Sequence, residues 1–360
     1  MARCPGCMRE IAGPFCPHCG TSAGAQNGSG LLPVGTVLFG SHERYQLGKA
    51  LGQGGFGVTY VALELGSKRR VAVKEYFPVR CSRRAGNGID VEPLDDMQEI
   101  YEGGRFSFLN EAKMLASLEG LPCVVQGLAY LELNNTAYLV MEFLEGTPLY
   151  RIVKERGSIP AGELMGPLRG LMHDIAQLHK RRVIHRDISP DNIMLMEDGS
   201  LKLLDFGCAR SVEDGKSMTV AMKRGFAPVE QYRTHGQGTW TDVYALAATV
   251  YYCLTGVVPP ESVARLMQGD ELVPPTQLGA ALTPEEENVL LWALEVDPKT
   301  RPANMEIFEN NLFPPAPQPE PAPVPDPVPV SGPTSPISTL QPQATPRGFI
   351  AWLKRLLGLS

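Results

Sequence analysis

Some stretches of this chain have the hydrophobic pattern of strands, and others have the pattern of helices. Residues 58–63 and 137–141 are short apolar runs rich in β-branched and aromatic side chains, which predicts strands. Residues 108–115 have helical spacing, and the apolar stretch at residues 243–258 predicts a long buried helix, too short to span a bilayer. We therefore expect an α+β protein that contains both strands and helices.

The connecting and terminal segments have compositions of their own. Residues 22–32 are rich in Gly, Ser and Ala, which predicts a flexible linker. Residues 314–346 are Pro-rich and almost free of aromatic residues, so we expect a disordered, extended spacer. Residues 347–360 combine bulky apolar with basic side chains, which predicts a short amphipathic helix. That helix suits peripheral membrane contact or docking on a protein equally well.

Two acidic motifs point to phosphoryl transfer. Residues 185–192 read His-Arg-Asp-Ile-Ser-Pro-Asp-Asn, and Asp-Phe-Gly begins at Asp205 after twelve further residues. Transfer of phosphate from ATP needs one carboxylate to accept the proton of the nucleophile, and a second carboxylate with an amide to hold magnesium. Asp187, Asn192 and Asp205 supply these groups. Two short apolar runs around a Glu-Asp-Gly-Ser turn predict a hairpin that brings Asn192 and Asp205 together.

A glycine-rich sequence precedes these motifs. Gly52, Gly54 and Gly57 form a GxGxxG pattern, which is weak evidence because dinucleotide-binding folds share it. In those folds a helix follows the glycines, whereas here a strand-like run follows. A strand-loop-strand flap can cover phosphates with backbone amides, and glycine allows that close approach. Ten residues after Val61, a Val-Ala-Val-Lys sequence begins at Val71 and ends at Lys74.

These motifs, in this order, resemble those of the eukaryotic-type protein kinases, in particular the bacterial serine/threonine kinases. The resemblance implies a two-lobed kinase fold over residues 33–313. Its β-rich N-lobe would be mainly an antiparallel sheet plus one helix, and its C-lobe, from Thr147 onward, would be mainly helical. It implies transfer of the ATP γ-phosphate to protein hydroxyls, with Asp187 as the base. Asn192 and Asp205 would bind Mg²⁺, and Lys74 would hold the α- and β-phosphates.

The resemblance also implies a nucleotide pocket. The adenine edge would bind the main chain of Glu142 and Leu144 in the hinge (residues 142–146), beside Met141 as gatekeeper. The residues expected around the nucleotide are Leu51, Gly52, Gly54, Gly57, Val58, Ala72, Lys74, Glu142, Leu144 and Met194.

Lys74 needs an acidic partner on the next helix. Glu111 is our choice, because it can face inward together with Leu115 one turn later. Thirty-six residues separate Lys74 from Glu111, which is long for a kinase, so Glu99 and Glu102 remain alternatives. Residues 75–107 then resemble an insertion that is either a solvated loop or a docking element.

Two further pairings follow from the resemblance. Glu230 lies in a Gly-Phe-Ala-Pro-Val-Glu sequence similar to the kinase APE element, and would pair with Arg301. Asp242 would cap the long helix and brace the backbone at Arg186.

One position departs from the kinase pattern. Serine/threonine kinases usually place a lysine two residues after the catalytic Asp, and here Ser189 stands there. Either the enzyme is weak or inactive, or Lys223 or Arg224 supplies the missing cation, because the developing phosphate charge needs one. Phosphate on the activation segment would complement Arg186, with Thr219 ranked before Ser211 and Ser217 as the acceptor; a constitutively ordered loop is the alternative.

A second signature lies at the N-terminus. Cys4-Pro-Gly-Cys7 and Cys16-Pro-His-Cys19 are two knuckles whose four thiolates match a structural zinc site. They resemble a short zinc ribbon at residues 1–21, which is too small to bury a core and would draw its folding energy from metal. A redox dithiol pair and disulfides are the alternatives.

Composition limits the remaining choices. The net charge of −6 and the pI of about 5.6 give no basic footprint for nucleic acid. Zinc thiolates and four scattered cysteines, without a secretory signal, favour the cytoplasm, with membrane association through residues 347–360 left open. We expect protein substrates, with ATP, Mg²⁺ and structural Zn²⁺ as cofactors. A pseudokinase or scaffold that recruits partners through both termini is the alternative.

Overall fold

The structure is a computed structural model that describes residues 2–118, 120–206, 223–233 and 236–314, and the backbone of residues 210–211. Its strands are β1 Ala2–Arg3, β2 Glu10–Ile11, β3 Val37–Phe39, β4 Arg44–Gln53, β5 Gly57–Glu64, β6 Arg70–Tyr76, β7 Ser82–Arg84, β8 Val91–Pro93, β9 Gly127–Leu133, β10 Thr136–Glu142, β11 Gly146–Pro148, β12 Val183–Ile184, β13 Ile193–Met196, β14 Leu201–Leu203 and β15 Arg210–Ser211. Its helices are α1 Gln98–Ser117, α2 Leu149–Arg156, α3 Ala161–Lys180, α4 Thr239–Thr255, α5 Ser262–Gln268, α6 Pro284–Ala293 and α7 Met305–Leu312.

Several expectations lie outside these residues. They are the spacer after its first residue and the helix at residues 347–360. They also include Cys208, one of the four scattered cysteines, together with Ser217, Thr219 and the side chain of Ser211. No helix within the described ranges is long and apolar enough to cross a membrane.

The N-lobe is an antiparallel six-stranded sheet with one helix behind it. The strand order is β3-β4-β5-β6-β10-β9, and β-branched or aromatic residues such as Val71, Val73 and Tyr138 are fully buried in it. Strands β6 and β10 are buried along most of their length, as expected for strands at the centre of a covered sheet. Helix α1 packs on one face of the sheet with Phe108, Ala112 and other buried residues. The predicted sheet and helix are confirmed.

Residues 75–107 differ from the expected insertion. Helix α1 already begins at Gln98, and β7 pairs with β8 in a hairpin instead of forming a solvated loop. Arg84 in this hairpin reaches into the N-lobe, where its guanidinium makes two hydrogen bonds of 2.8 Å with the buried carboxylate of Glu75. A buried carboxylate is costly unless it is paired, so this contact fixes the hairpin to the sheet.

The C-lobe packs helices around α4. All of α4 from Thr241 to Leu254 is buried, as its apolar sequence predicts. The helix begins at Thr239 after Gly238, so the prediction that Asp242 caps it was wrong. Asp242 lies in the first turn instead, because the side chain of Thr241 accepts the hydrogen bond from the backbone of Gly238.

The N-terminal segment is attached to the N-lobe, and residues 22–32 are not the flexible linker that we expected. The side chain of Asn27 donates to the carbonyls of Leu32 (2.8 Å) and Gly48 (3.2 Å) and accepts from the amide of Ala50 (2.9 Å). Leu32 is fully buried, and its amide donates to the hydroxyl of Tyr60. Composition alone suggested flexibility, but these polar and apolar contacts outweigh the entropy of a short Gly/Ser segment.

Candidate active site

The catalytic loop is held from beneath by α4. Both carboxylate oxygens of Asp242 accept backbone amides, from His185 (2.8 Å) and from Arg186 (2.8 Å). The side chain of His179 in α3 makes a third contact with this fully buried carboxylate, at 2.9 Å. These hydrogen bonds to the charged form hold the pKa of Asp242 below its usual value despite burial. The expected brace is confirmed, whereas sequence spacing gave no signal for His179.

Asp187 and Asn192 form one hydrogen-bonded unit. The Nδ2 of Asn192 donates to both the carbonyl and the Oδ2 of Asp187, each at 2.8 Å. Strands β13 and β14 pair as expected, with Ile193 opposite Leu203, and the amide of Leu204 donates to the carbonyl of Asn192. The hairpin thereby carries Asp205 back beside Asn192.

Lys74 connects the two lobes of this site. Its ammonium lies 3.5 Å from Oε1 of Glu111 and within hydrogen-bond distance of Oδ1 of Asp205. Of the three acidic candidates, Glu111 is therefore the one that faces Lys74. Glu102 instead pairs with Arg105 at 2.8 Å, and Glu99 is exposed.

Burial raises the pKa of two carboxyl groups in this site. It raises the pKa of Glu111 to about 7, although the nearby Lys74 opposes the shift. Burial also raises the pKa of Asp187, against the opposing effect of Lys223. A base that needs to accept a proton gains from a pKa raised toward the working pH.

The glycine-rich flap lies at the turn between β4 and β5. Gln53 pairs with Val58, and the amide of Gly54 donates to the carbonyl of Gly57 at 2.9 Å. A β-carbon at Gly52 or Gly54 would meet only open space, whereas one at Gly57 would lie 2.1 Å from the carbonyl oxygen of Glu75. The first two glycines thus leave room above the sheet, and the third is required by its packing.

The residues that the resemblance places around adenine come from both lobes. Val58 and Ala72 are buried in β5 and β6, and Met141 pairs with Ala72 across the sheet. Met194 lies in β13 of the C-lobe, opposite Lys202. The ammonium of Lys202 binds Oε1 of the hinge residue Glu142 at 2.6 Å. Sequence motifs gave no indication of this link between the hinge and the C-lobe hairpin.

Lys223 occupies the neighbourhood of Ser189. Its ammonium donates to the hydroxyl of Ser189 at 2.6 Å and lies 3.7 Å from Oδ1 of Asp187 and 3.6 Å from Oδ2 of Asp191. Arg224 points elsewhere, because its side chain is 87% exposed and its nearest acid is Glu261 at 3.5 Å. Of the two cations that the sequence offered, Lys223 is the one beside the catalytic Asp.

The activation segment ends on a buried ion pair. Arg301 donates from Nη1 and Nη2 to the two carboxylate oxygens of Glu230, at 2.8 and 3.0 Å, and both side chains are almost fully buried. Its guanidinium also lies over the ring of Tyr244, 4.8 Å from the centroid. The predicted pairing is confirmed.

Four cysteines converge at the N-terminus. The Sγ atoms of Cys4, Cys7, Cys16 and Cys19 all lie within 4.8 Å of one another. The pairs Cys4–Cys19 and Cys7–Cys16 are 3.4 and 3.6 Å apart, too far for disulfides, whose sulfur atoms lie about 2.05 Å apart. Four thiolates about 2.3 Å from one tetrahedral ion would be separated by similar distances. The donor set therefore fits zinc.

Known proteins match this chain in sequence and in fold. Residues 45–313 match the family model described as protein kinase domain. The chain belongs to the protein kinase family. The serine/threonine-protein kinase PknB of Mycolicibacterium smegmatis is 32% identical to this kinase over 269 residues, which cover 72% of this chain and 41% of the relative. A probable serine/threonine-protein kinase of Clostridium perfringens is 30% identical over 279 residues, or 74% and 37% of the two chains.

A solved structure gives the same result. This kinase superimposes on PpkA-294 in its apo form with a TM-score of 0.68 and 31% identity, over 79% of this chain and all of that one. The two-lobed fold expected from the motifs is thus confirmed. The chain spans only about two fifths of the length of the two curated relatives.

Proposed function

We propose that this protein is an active serine/threonine protein kinase that transfers the γ-phosphate of ATP to protein hydroxyls and phosphorylates itself. One observation carries the proposal: the fold brings Asp187, Asn192, Asp205, Lys74 and Glu111 together from four separate segments of the chain. Relatives that bear serine/threonine-kinase names support the class of acceptor.

The chain's own groups divide the work. Asp187 accepts the proton of the incoming hydroxyl, and its hydrogen bond from Asn192 orients the carboxylate for this role. When Mg²⁺ is bound, it neutralises phosphate charge; Asn192 and Asp205 would hold it. The contact between Lys74 and Asp205 then gives way to contacts of Lys74 with the α- and β-phosphates, while Glu111 keeps the ammonium in place.

Lys223 takes the part of the lysine that Ser189 replaces. Its ammonium is near Asp187 and Asp191, at the side of the loop where the γ-phosphate and the acceptor meet. A cation fixed there stabilises the charge that develops on the transferred group. The hydroxyl of Ser189 orients Lys223 instead of contributing a charge.

Protein substrates would reach the site beside Asp191. A groove of about 530 Å³ runs along this face, lined by Pro148, Tyr150, Arg151, Lys154, Glu155 and Asp191. Its exposed aromatic ring and its charged side chains of both signs suit contact with a polypeptide acceptor.

The remaining parts are assigned by the same reasoning. Residues 1–21 would form a zinc ribbon with a closed four-cysteine site, residues 22–32 the linker and residues 33–313 the kinase domain. For residues 314–346 and 347–360 the sequence predicts a spacer and an amphipathic helix. A closed site leaves no open coordination position for chemistry, so zinc would be structural. Native mass spectrometry should find one zinc per chain, lost in Cys4→Ser/Cys7→Ser protein.

The test separates an enzyme from a scaffold. Wild-type protein, Asp187→Asn and Asp205→Asn are incubated with Mg·ATP labelled in the γ-phosphate and a generic acceptor protein. We expect transfer only by wild type, and weaker Mg·ATP binding in Asp205→Asn because a metal ligand is lost. Binding of nucleotide without any transfer by the wild type would instead support the scaffold.

A further inference from the structure

The ribbon (residues 2–21) packs against the N-lobe close to the hinge. The carbonyl of Pro5 accepts the backbone amide of Lys49 at 2.7 Å. Met8, only 3% exposed, packs with Val61 and Leu63 of β5, and Phe143 of the hinge joins the same cluster. These residues tie the first knuckle to the sheet that covers the nucleotide.

Arg9, next to Met8, makes the polar half of this contact. Its Nη2 lies 2.6 Å from Oε1 of Glu145, the fourth residue of the hinge. Arg70 of β6 binds the same carboxylate through two hydrogen bonds, at 2.9 and 2.6 Å, and its guanidinium lies 5.1 Å from the ring centroid of Phe143. Phe143 and Glu145 are therefore fixed on both sides of Leu144.

The first knuckle, residues 4–7, determines the positions of Met8 and Arg9. The amide of Met8 donates to the carbonyl of Cys4, and the amide of Cys4 donates to the carbonyl of Arg9. Nη1 of Arg9 also lies 3.1 Å from Nδ1 of His18, in the second knuckle. An ion that holds all four thiolates fixes the two knuckles together, and so fixes the side chains that contact the hinge.

We propose that the ribbon positions the hinge for nucleotide binding, with Met8 and Arg9 as the positioning residues. Metal bound by the four cysteines and nucleotide bound in the cleft then strengthen each other's binding. The inference rests on the zinc and ATP sites proposed above. Coupling between two sites is reciprocal: if zinc tightens nucleotide binding, nucleotide tightens zinc binding by the same factor. If the ribbon only adds stability to the fold, zinc would not change the affinity for nucleotide, and nucleotide would not change the affinity for zinc.

The experiment uses the full chain purified with zinc. Affinity for ADP is measured by calorimetry in wild type, Arg9→Ala, Arg9→Lys and the control Arg83→Ala. Arg83 is the matched control because it also forms an exposed ion pair in the N-lobe, with Glu92, in the β7–β8 hairpin.

Loss of a partly exposed pair predicts that ADP binds about 2- to 5-fold more weakly to Arg9→Ala. Arg9→Lys should recover part of the loss, and Arg83→Ala should match wild type. The KM for ATP should rise in Arg9→Ala with kcat unchanged.

The reciprocal arm follows the metal. At equilibrium, a competing chromogenic chelator should take less zinc from wild type saturated with ADP than from wild type without ADP, and this difference should be smaller in Arg9→Ala. Removal of zinc should weaken ADP binding by about 10-fold in wild type. If zinc and ADP each bind but neither affects the other, or if Arg9→Ala couples them as wild type does, the positioning role is wrong. Absence of zinc or of ADP binding in wild type would instead refute the proposed sites. The chelator assay needs no metal-free protein, so it decides the question even if stripped protein unfolds.

Discussion

Replacement of Lys223 by Ala removes the cation that lies beside Ser189, the position where other serine/threonine kinases have a lysine. The ammonium lies 3.7 Å from the carboxylate of Asp187 and is about one third exposed. Two unit charges about 4 Å apart near a protein surface interact by roughly 4 kcal/mol. Removal of one donor that stabilises a transition state typically costs about 3–4 kcal/mol, or a factor of 10²–10³ in kcat.

The loss should fall on kcat rather than on nucleotide affinity. Lys223 contacts Ser189, Asp187 and Asp191. In the proposed mechanism these residues would lie beside the transferred phosphoryl group and not beside the adenine. An interaction made mainly in the transition state lowers kcat and leaves the KM for ATP nearly unchanged. Steady-state kinetics with varied ATP and a fixed acceptor protein measures both quantities.

Arg224→Ala is the matched control. Arg224 is the next residue and carries the same charge, but it is exposed and faces Glu261. We expect it to keep the wild-type kcat within about 2-fold, as is usual for surface substitutions. Ser189→Lys introduced into Lys223→Ala should recover part of the rate. A Lys223→Ala enzyme with wild-type kcat would show that this ammonium plays no part in catalysis.

Three further predictions concern protonation, stability and regulation. Because burial raises the pKa of Glu111 to about 7, its ion pair with Lys74 exists mainly above that pH, and kcat/KM for ATP should fall as pH drops through 7; residual activity of Glu111→Gln should lack this decline. Arg301→Ala leaves the carboxylate of Glu230 buried without its main partner, so chemical denaturation should show a loss of about 3–5 kcal/mol, and Arg301→Lys a smaller one. Thr219, outside the described residues, should carry phosphate in protein with an active catalytic site, and Thr219→Ala should lower activity; a fully active, unphosphorylated enzyme would refute this.

The sequence predicted the catalytic constellation because short motifs fix local chemistry. Asp187 and Asn192 lie five residues apart on one loop, and the hairpin after them has strong strand and turn signals. Glu111 was identified correctly because helical spacing sets the face of α1, although its partner lies 37 positions earlier. In each case local geometry limits which atoms can meet.

Other contacts could not be predicted, because packing between distant elements decides them. Nothing in the sequence near Glu145 indicates that Arg9, 136 residues earlier, would bind it. The choice between Lys223 and Arg224 depends on which side of the backbone faces the catalytic loop. Residues 22–32 were misjudged because composition describes the unfolded chain's freedom and not the contacts of Asn27 that offset it.

The central claim is that this chain uses its own catalytic loop to phosphorylate protein hydroxyls. Intact-mass measurement of purified, phosphatase-treated full chain before and after addition of Mg·ATP tests it most directly, with Asp187→Asn protein treated in parallel. We expect wild type to gain the mass of one or more phosphoryl groups, located on Ser or Thr by fragmentation, and Asp187→Asn to gain none because it lacks the proton acceptor. Equal phosphorylation of the two proteins, or none of either while both bind Mg·ATP, would contradict the claim.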